Sequence, residues 1–292
     1  MTSEEHVSVT EKIRRGMGDC TPAERKVARV LLASSPSAGF ETVAKLAARA
    51  GVSGPTVVRF AVRFGFTGFP EFQQALRDDL DQRSASPMAI YDRDLSTAGP
   101  RSAEGASVLD RAAETTSRAI AGTFAEVAPH DFEAGVAAIA GARGQVWLAG
   151  GRFGGLFARY LAQHLQMLRA GVTLLPEEPS ARAAAMTGIG RTDVLVLFDY
   201  RRYEEGTRAL ATRAAKRHTP VVLFTDSWIS PIALDATVVL ASQTDSPSPF
   251  DAMSPVLALV EAVIAGCLES LGDPAAERMR RTEATAEELG LY

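Results

Sequence analysis

The stretch TVAKLAARAGVSGPTVVRFAVRFG, residues Thr42–Gly65, predicts two short helices joined by a tight turn. Apolar residues recur at three- and four-residue steps on both sides of the turn, which is the spacing of one helical face. Gly51 suits the left-handed residue that ends a helix, and Ser53 stands at the N-cap of the second helix, with Pro55 in its first turn. The residues at the helix crossing have the spacing of a DNA-binding helix-turn-helix: Ala47, Gly51, Val52 and Val57.

The second helix of this pair carries a basic face. Arg59 and Arg63 lie four residues apart, so that one can approach a guanine edge and the other a phosphate. Val62 suits a thymine methyl group or a neighbouring helix. The alternative is a helical hairpin at the surface whose arginines are only solvated. The turn, the N-cap, the small residues at the helix crossing and the basic face together favour DNA binding. We expect Gly54, Thr56, Arg59, Val62 and Arg63 to face outward, and DNA to be contacted by Ser53, Gly54, Thr56, Arg59 and Arg63.

Composition and charge agree with a two-part protein. A length of 292 residues predicts about two domains, and 46% hydrophobic with 23% charged residues is typical of a globular chain. The net charge is −4, but Thr21–Arg77 carries eight basic and three acidic residues, a net of +5 that leaves −9 elsewhere. A basic module on an acidic body confines the attraction for phosphate to one end.

Two further features frame the basic module. Thr21 and Glu24 have the spacing of a capping box at the start of a helix that Pro36 is expected to end. Phe66, Phe69 and Phe72 are predicted to be core rather than base-stacking residues, because no basic residue is interleaved with them.

The same segments carry a family resemblance. The start TPAERKV and the pattern AxxAGVSxxTVVRFxxxxGFxGFxEF are found at Thr21–Val27, Ala47–Phe60 and Gly65–Phe72. In these segments the chain resembles the N-terminal DNA-binding domain of RpiR-type transcriptional regulators. The resemblance covers about the first quarter of the chain.

The remainder alternates between strand and helix patterns. Residues 84–107 are rich in Ser, Ala, Gly and Pro and are predicted to be a linker, with one short extended piece at Met88–Tyr91. Strand, helix, strand at short spacing indicates a doubly wound parallel sheet covered on both faces. The predicted helices are Val108–Val127, Phe132–Ala142, a helix ending at Arg169, Glu204–His218 and Pro255–Leu271; the predicted strands are residues 146–150, 172–175, 194–199, 220–226 and 237–241.

This pattern, from about Val108 to Leu271, resembles a sugar isomerase (SIS) domain, which commonly follows an RpiR-type DNA-binding domain. The resemblance implies a phosphosugar site at the ends of the first and third strands. Ligands of open parallel sheets bind beyond the carboxyl ends of the strands, at the switch point of the topology. The predicted effector-binding residues at that edge are Gly150, Gly151, Arg152, Gly154, Asp199, Arg201 and Arg202.

These residues depart from the pattern that the resemblance implies. Asp199 and Arg201 stand where such domains carry serines, Arg202 stands for a glycine, and Gly154 for the serine of the first turn. Arg152, Arg201 and Arg202 are therefore expected to converge on a carboxylate or phosphate, which arginine forks suit. The alternatives are that Arg201 and Arg202 pair with Glu204, Glu205 or Asp199 or brace a dimer contact, and that the glycines serve backbone packing.

An enzymatic function is the alternative from another class. SIS domains occur in sugar-phosphate isomerases and ether-cleaving enzymes, which need a positioned acid or base. The candidates have no fixed mutual geometry in the sequence, and the acidic pair Glu177–Glu178 is expected on a solvated loop. No residues have metal-ligand spacing, so we expect no catalytic residues, metal or cofactor. The other candidates for proton transfer are Glu204, Glu205, His164 and His218.

The sequence thus predicts an all-α helix-turn-helix domain at 1–83, a linker at 84–107 and an α/β SIS-like domain at 108–292. We expect a ligand-responsive regulator that binds a palindromic DNA operator and senses a small anionic metabolite, a phosphosugar or a carboxylate. The polar start of the chain and two distant cysteines favour the cytoplasm without a membrane segment. The helix Pro255–Leu271, apolar on more than one face, predicts a homodimer or homotetramer.

Overall fold

The computed structural model describes residues 9–34, 41–84, 86–97 and 107–291. The helices up to Thr97 belong to one compact unit, and the sheet with its surrounding helices belongs to a second. The predicted end of a helix at Pro36 and residues 98–106 of the predicted linker lie outside the described residues.

Among the described residues up to Thr97, the regular elements of the first unit are helices. Phe60 and Phe72 are fully buried at its centre, and the ring of Phe66 packs edge-on against that of Phe72 at 5.3 Å. The prediction that the aromatic residues after the second helix form the core is therefore confirmed. The described helices of this unit are α1 (Val9–Gly16), α2 (Pro22–Ser34), α3 (Val43–Ala50), α4 (Gly54–Arg63), α5 (Phe69–Ser84) and α6 (Pro87–Thr97).

Helix α6 corrects the sequence prediction of an extended piece at Met88–Tyr91. The hydroxyl of Ser86 accepts a hydrogen bond from the backbone N–H of Ala89 at 3.1 Å, and Pro87 follows as the first helical residue. A serine N-cap followed by proline is a helix-start signal, and it outweighs the loop-like composition around it.

The second unit contains a five-stranded parallel sheet with the order β2-β1-β3-β4-β5. The chain thus leaves β1 toward one edge and returns on its other side, which puts the switch point between β1 and β3. The strands are β1 (Val146–Gly150), β2 (Val172–Leu174), β3 (Val194–Asp199), β4 (Val221–Asp226) and β5 (Val238–Ser242). The helices are α7 (Val108–Glu126), α8 (Pro129–Gly141), α9 (Gly154–Leu168), α10 (Pro179–Gly188), α11 (Glu205–Lys216), α12 (Ser254–Leu271) and α13 (Asp273–Glu288).

Helices cover both faces of this sheet. Every residue of β3 is buried, as expected for a central parallel strand. Val196 and Phe198 pack in one cluster with α9 and α12, whereas Leu195 and Leu197 pack in the other with α10 and α11. The doubly wound α/β fold predicted from the strand pattern is confirmed.

Helix α12 is long and apolar enough to cross a membrane by length and composition alone. In the structure its apolar side is part of the core, where Val256, Leu259 and Val263 are buried. Helices α7, α8, α9 and α13 of the same chain pack around it, and Leu268 remains 38% exposed. The prediction that a second copy covers part of α12 stays a prediction.

Candidate functional site: the helix-turn-helix surface and the edge of the sheet

Helices α3 and α4 meet at the turn that the sequence predicts. Gly51 adopts the left-handed conformation at φ 61°, and its N–H donates to the carbonyl oxygens at the end of α3. Ser53 occupies the N-cap of α4 with an extended backbone, but its hydroxyl makes no bond to the helix backbone. It pairs instead with the hydroxyl of Thr56 at 3.0 Å.

One side of α4 packs into the domain and the other faces solvent. Thr56 is only 7% exposed, so the prediction that it faces outward is wrong. Its hydroxyl lies between Ser53 and Arg59, whose Nη2 donates to it at 3.2 Å. Gly54 is half-buried, and the exposed residues of α4 are Pro55, Val58, Arg59, Val62 and Arg63.

Arg63 contacts helix α2. Its Nε lies 3.1 Å from Oε2 of Glu24, whose side chain is 8% exposed. The same carboxylate accepts the backbone N–H of Thr21 at 2.8 Å, and the Thr21 hydroxyl accepts the N–H of Glu24, so the predicted capping box is present. Burial acts to raise the pKa of Glu24, but hydrogen bonds from Thr21 and Arg63 outweigh it, so the pKa is lowered. Arg63 therefore links α4 to α2, and its contact with DNA stays a prediction.

At the edge of the sheet, the glycines after β1 are required by packing. A Cβ on Gly150 would lie 2.4 Å from the carbonyl carbon of Gly154, and one on Gly154 would lie 2.6 Å from the backbone oxygen of Phe198. These positions let α9 approach β1 and β3 closely. The packing explanation for both glycines is borne out, and their role in effector binding stays a prediction.

A carboxylate that was not among the predicted site residues lies on this turn. Oε1 of Glu204, just after β3, accepts the backbone N–H of Arg152 at 3.0 Å. A Cβ on Gly151 would lie 2.2 Å from the same oxygen, so the carboxylate fills the space above this glycine. The β1–α9 turn thus already holds an anionic group from the chain itself. The sequence feature that could have indicated this contact is Glu204 itself, an acidic residue at the N-cap of α11, the helix that follows β3.

Arg201 has a partner that the sequence analysis did not consider. Its Nη2 lies 3.0 Å from Oδ1 of Asp251, and its side chain is 11% exposed. Burial raises the pKa of Asp251, while Arg201 and Arg202 act in the opposite direction. The backbone N–H of Arg201 donates to Asp226, a buried carboxylate at the end of β4. Arg201 thus forms an ion pair with an acid in the loop before α12, outside the three that the alternative named, and its role in effector binding stays a prediction.

The other predicted effector residues have separate surroundings. The exposed guanidinium of Arg152 lies 5.2 Å from the ring of Phe153. Arg202 is exposed and has a left-handed backbone at φ 73°. Asp199 is buried, and its Oδ1 accepts the N–H of Glu204 at 3.2 Å. Arg201 and Arg202 both act on Asp251, whereas Arg152 lies against Phe153, and the joint action of the three guanidinium groups on one anion stays a prediction.

Two of the candidates for proton transfer, His164 and Glu178, make structural contacts. Nδ1 of His164 lies 2.9 Å from the backbone oxygen of Tyr160 within α9. The carboxylate of Glu178 caps α10 by accepting the N–H groups of Ser180 and Ala181. Within the described ranges, no three His, Cys, Asp or Glu side chains are grouped as metal ligands. These contacts favour structural roles for His164 and Glu178.

The fold and these sites define a class: a helix-turn-helix domain that precedes a parallel α/β domain of the sugar isomerase type. Residues 7–83 match the helix-turn-helix domain of the rpiR family, and residues 138–266 match the SIS domain. The chain therefore carries a helix-turn-helix domain of the rpiR family followed by a SIS domain.

Individual relatives agree with this assignment. The HTH-type transcriptional regulators HexR of Pseudomonas aeruginosa and of Escherichia coli are 38% and 39% identical over 78 and 74 residues. Those matches cover 27% and 25% of this chain and 27% and 26% of the relatives, so the chain spans about a quarter of their length.

Solved structures extend the likeness to the sheet. The sugar isomerase domain of an RpiR transcription factor from Sphaerobacter thermophilus is 25% identical with a TM-score of 0.56, covering 60% of this chain and 97% of that one. NanR of Vibrio vulnificus, complexed with ManNAc-6P, is 20% identical with a TM-score of 0.55 over 96% of this chain and 98% of that one. At 20% identity, the likeness to NanR supports the fold of this chain and no more.

Proposed function

We propose that this protein is a ligand-responsive transcriptional regulator. The helix-turn-helix domain binds an inverted-repeat DNA operator, and the SIS domain senses a small anionic metabolite. The observation that carries the proposal is α4, whose exposed side holds Arg59 in a domain of net positive charge and of the rpiR family. The protein acts in the cytoplasm, where its operator is found, and as a homo-oligomer.

The DNA-binding proposal has a direct test. Duplexes are enriched from a random pool by the full chain, and the affinity for the enriched sequence is compared with that for a scrambled duplex. We expect the enriched duplex to bind at least about 10³-fold tighter at physiological salt, with an inverted repeat whose half-sites are one helical turn, about 34 Å, or a multiple of it apart. Equal affinity for the two duplexes would show that the helical domain has no operator specificity.

Arg59 is the residue on which base recognition depends in this proposal. Its side chain is exposed and oriented by the hydroxyl of Thr56. Arg59→Ala should cost about 1–3 kcal/mol at particular base pairs if it contacts a base edge. If the sequence preference of this variant is unchanged, Arg59 does not contact a base edge and instead contacts a phosphate or solvent. Arg49→Ala serves as the comparison, because Arg49 lies on α3 and pairs with Glu41, just before the same helix.

The effector is proposed to be an anion that binds where Glu204 contacts the β1–α9 turn. The switch point of the sheet lies here, and Arg152 and Arg202 expose their side chains beside it. A phosphosugar or a carboxylate would compete with Glu204 for the N–H of Arg152. NanR was solved with such a phosphosugar, ManNAc-6P, which makes this ligand class the first to be tested.

A binding titration with and without Glu204 tests the effector site. The full chain is screened by thermal shift against phosphosugars and di- and tricarboxylates, because a ligand of the folded state raises the melting temperature. Glu204→Gln removes a competing charge worth about 1 kcal/mol at 4 Å in water, so anion affinity should rise about fivefold. Glu205→Gln is the matched control, since Glu205 is exposed and pairs with Arg208 within α11. Equal affinity in wild type and both variants would remove Glu204 from the site.

We propose further that the protein is not an enzyme. A SIS-type isomerase or ether-cleaving enzyme needs an acid or base free to meet its substrate. His164 and Glu178 are instead occupied by backbone contacts. Turnover of a sugar phosphate by the purified chain, lost in His164→Asn but not in an exposed-surface variant, would overturn this part of the proposal.

A further inference from the structure

The exposed side of α4 is apolar along its centre. Pro55, Val58, Arg59 and Val62 follow the i, i+3, i+4, i+7 pattern of one helical stripe. Val62 is 52% exposed and Val58 is 38% exposed. Arg63 lies at the margin of this stripe, two turns after the buried Thr56 on the same side of the helix, and its guanidinium contacts Glu24. The middle of the stripe therefore consists of two valines and one arginine.

Two exposed valines contribute little to the stability of this helix. Valine has a lower helix propensity than alanine, lysine or glutamine, because its branched side chain loses rotamer freedom against the preceding turn. Exposed side chains also gain little from burial within the domain. Helix formation thus does not account for valine at these two positions, whereas contact with an apolar group of a partner does.

The surroundings of the valines indicate which partner this is. Two of the three acidic residues between Thr21 and Arg77 are paired with arginines, Glu24 with Arg63 and Glu41 with Arg49. The segment nevertheless carries a net charge of +5, which is complementary to DNA. The apolar group that duplex DNA presents in its major groove is the C5-methyl of thymine.

We infer that Val58 and Val62 read thymine methyl groups in the major groove, with Arg59 between them on a base edge or phosphate. This inference rests on the proposed DNA-binding function and assigns sequence preference to valines rather than to Arg63. The enriched operator then carries thymines at fixed positions of each half-site, next to the base pair that Arg59 contacts.

Deoxyuridine tests this without changing the protein. Each thymine of the enriched duplex is replaced in turn by deoxyuridine, which pairs identically and lacks only the C5-methyl group. Loss of one buried methyl should weaken binding about fourfold. We expect this loss at one or two thymines per half-site with the wild-type chain. With Val62→Ala or Val58→Ala, the methyl-dependent loss at the matching thymine should disappear.

Several controls separate the possible outcomes. Val62→Ala should fold normally, because the residue is half exposed and alanine favours helix; Val108→Ala, 70% exposed in the other unit, should keep the full methyl dependence. If deoxyuridine is neutral at every thymine, or if its effect persists in both valine variants, the inference is overturned while operator binding stands. If no sequence is enriched, the proposed DNA function fails together with it.

Discussion

Replacement of Arg169, the residue after α9, should destabilise the sheet domain more than replacement of Arg159, the arginine within that helix. Arg169 follows α9 and donates from its Nη1 and Nη2 to four backbone oxygens at the end of α8 and in the connection to β1. The end of a helix leaves carbonyl oxygens without backbone partners, and a cation there also opposes the helix dipole favourably. The acceptors are the oxygens of Ile139, Ala140, Ala142 and Gly144.

The magnitude follows from these contacts. A hydrogen bond to a charged group contributes about 1.5–3 kcal/mol, and water can replace part of it where the carbonyls are half exposed. For four acceptors of one guanidinium we expect Arg169→Met to lower the free energy of unfolding by about 3 kcal/mol. For a domain of this size, the melting temperature should fall by about 6–12 °C.

Tryptophan fluorescence provides the assay, because Trp147 lies in β1 of the sheet. Arg159→Met is the matched control, since Arg159 is exposed on the same helix and should shift the transition little. Arg169→Lys keeps the charge but cannot reach all four oxygens, so its melting temperature should lie between those of wild type and Arg169→Met. A melting temperature for Arg169→Met within about 2 °C of wild type would refute the reasoning.

Three further predictions concern stability. The pKa of Glu24 is lowered despite its burial, so its contribution to stability should be complete above its ordinary pKa of about 4.3 and be lost as pH falls through the lower folded value. In an acid titration, the free energy of unfolding of Glu24→Gln should therefore fall less steeply with decreasing pH than that of wild type. Gly154→Ala should cost about 1–3 kcal/mol by clashing with β3, whereas Gly155→Ala, whose Cβ would lie at an ordinary contact distance of 3.6 Å from the Gly150 oxygen, should melt near wild type. Asp251→Asn should cost about 1–2 kcal/mol, and its combination with Arg201→Met should cost less than the two changes added, as a double-mutant cycle would measure.

The features that the sequence predicted well are local. The run VLVLF is continuous and apolar with two β-branched valines, and together with Asp199 it forms the central strand β3 at the predicted residues 194–199. Gly51 is left-handed because a helix ends there, and Thr21 and Glu24 pair because they are three residues apart. In each case the physical cause lies within a few neighbouring residues.

The features that the sequence analysis missed depend on residues that are distant along the chain. Arg63 pairs with Glu24, 39 residues earlier, and Arg201 with Asp251, 50 residues later. Which acid reaches an arginine depends on how helices and loops pack, and sequence spacing does not contain that information. Thr56 is buried for the same reason: it lies at the margin between the two sides of α4, where α-helical periodicity alone does not separate buried from exposed positions.

The central claim is that a ligand of the SIS domain changes the affinity of the helix-turn-helix domain for DNA. It is tested by measuring operator affinity by fluorescence anisotropy, with and without the anion that gives the largest thermal shift. We predict a change of about 5–150-fold, the range of a coupling free energy of about 1–3 kcal/mol, with a reciprocal change in anion affinity when operator is bound. Identical operator affinity at saturating anion would contradict the account.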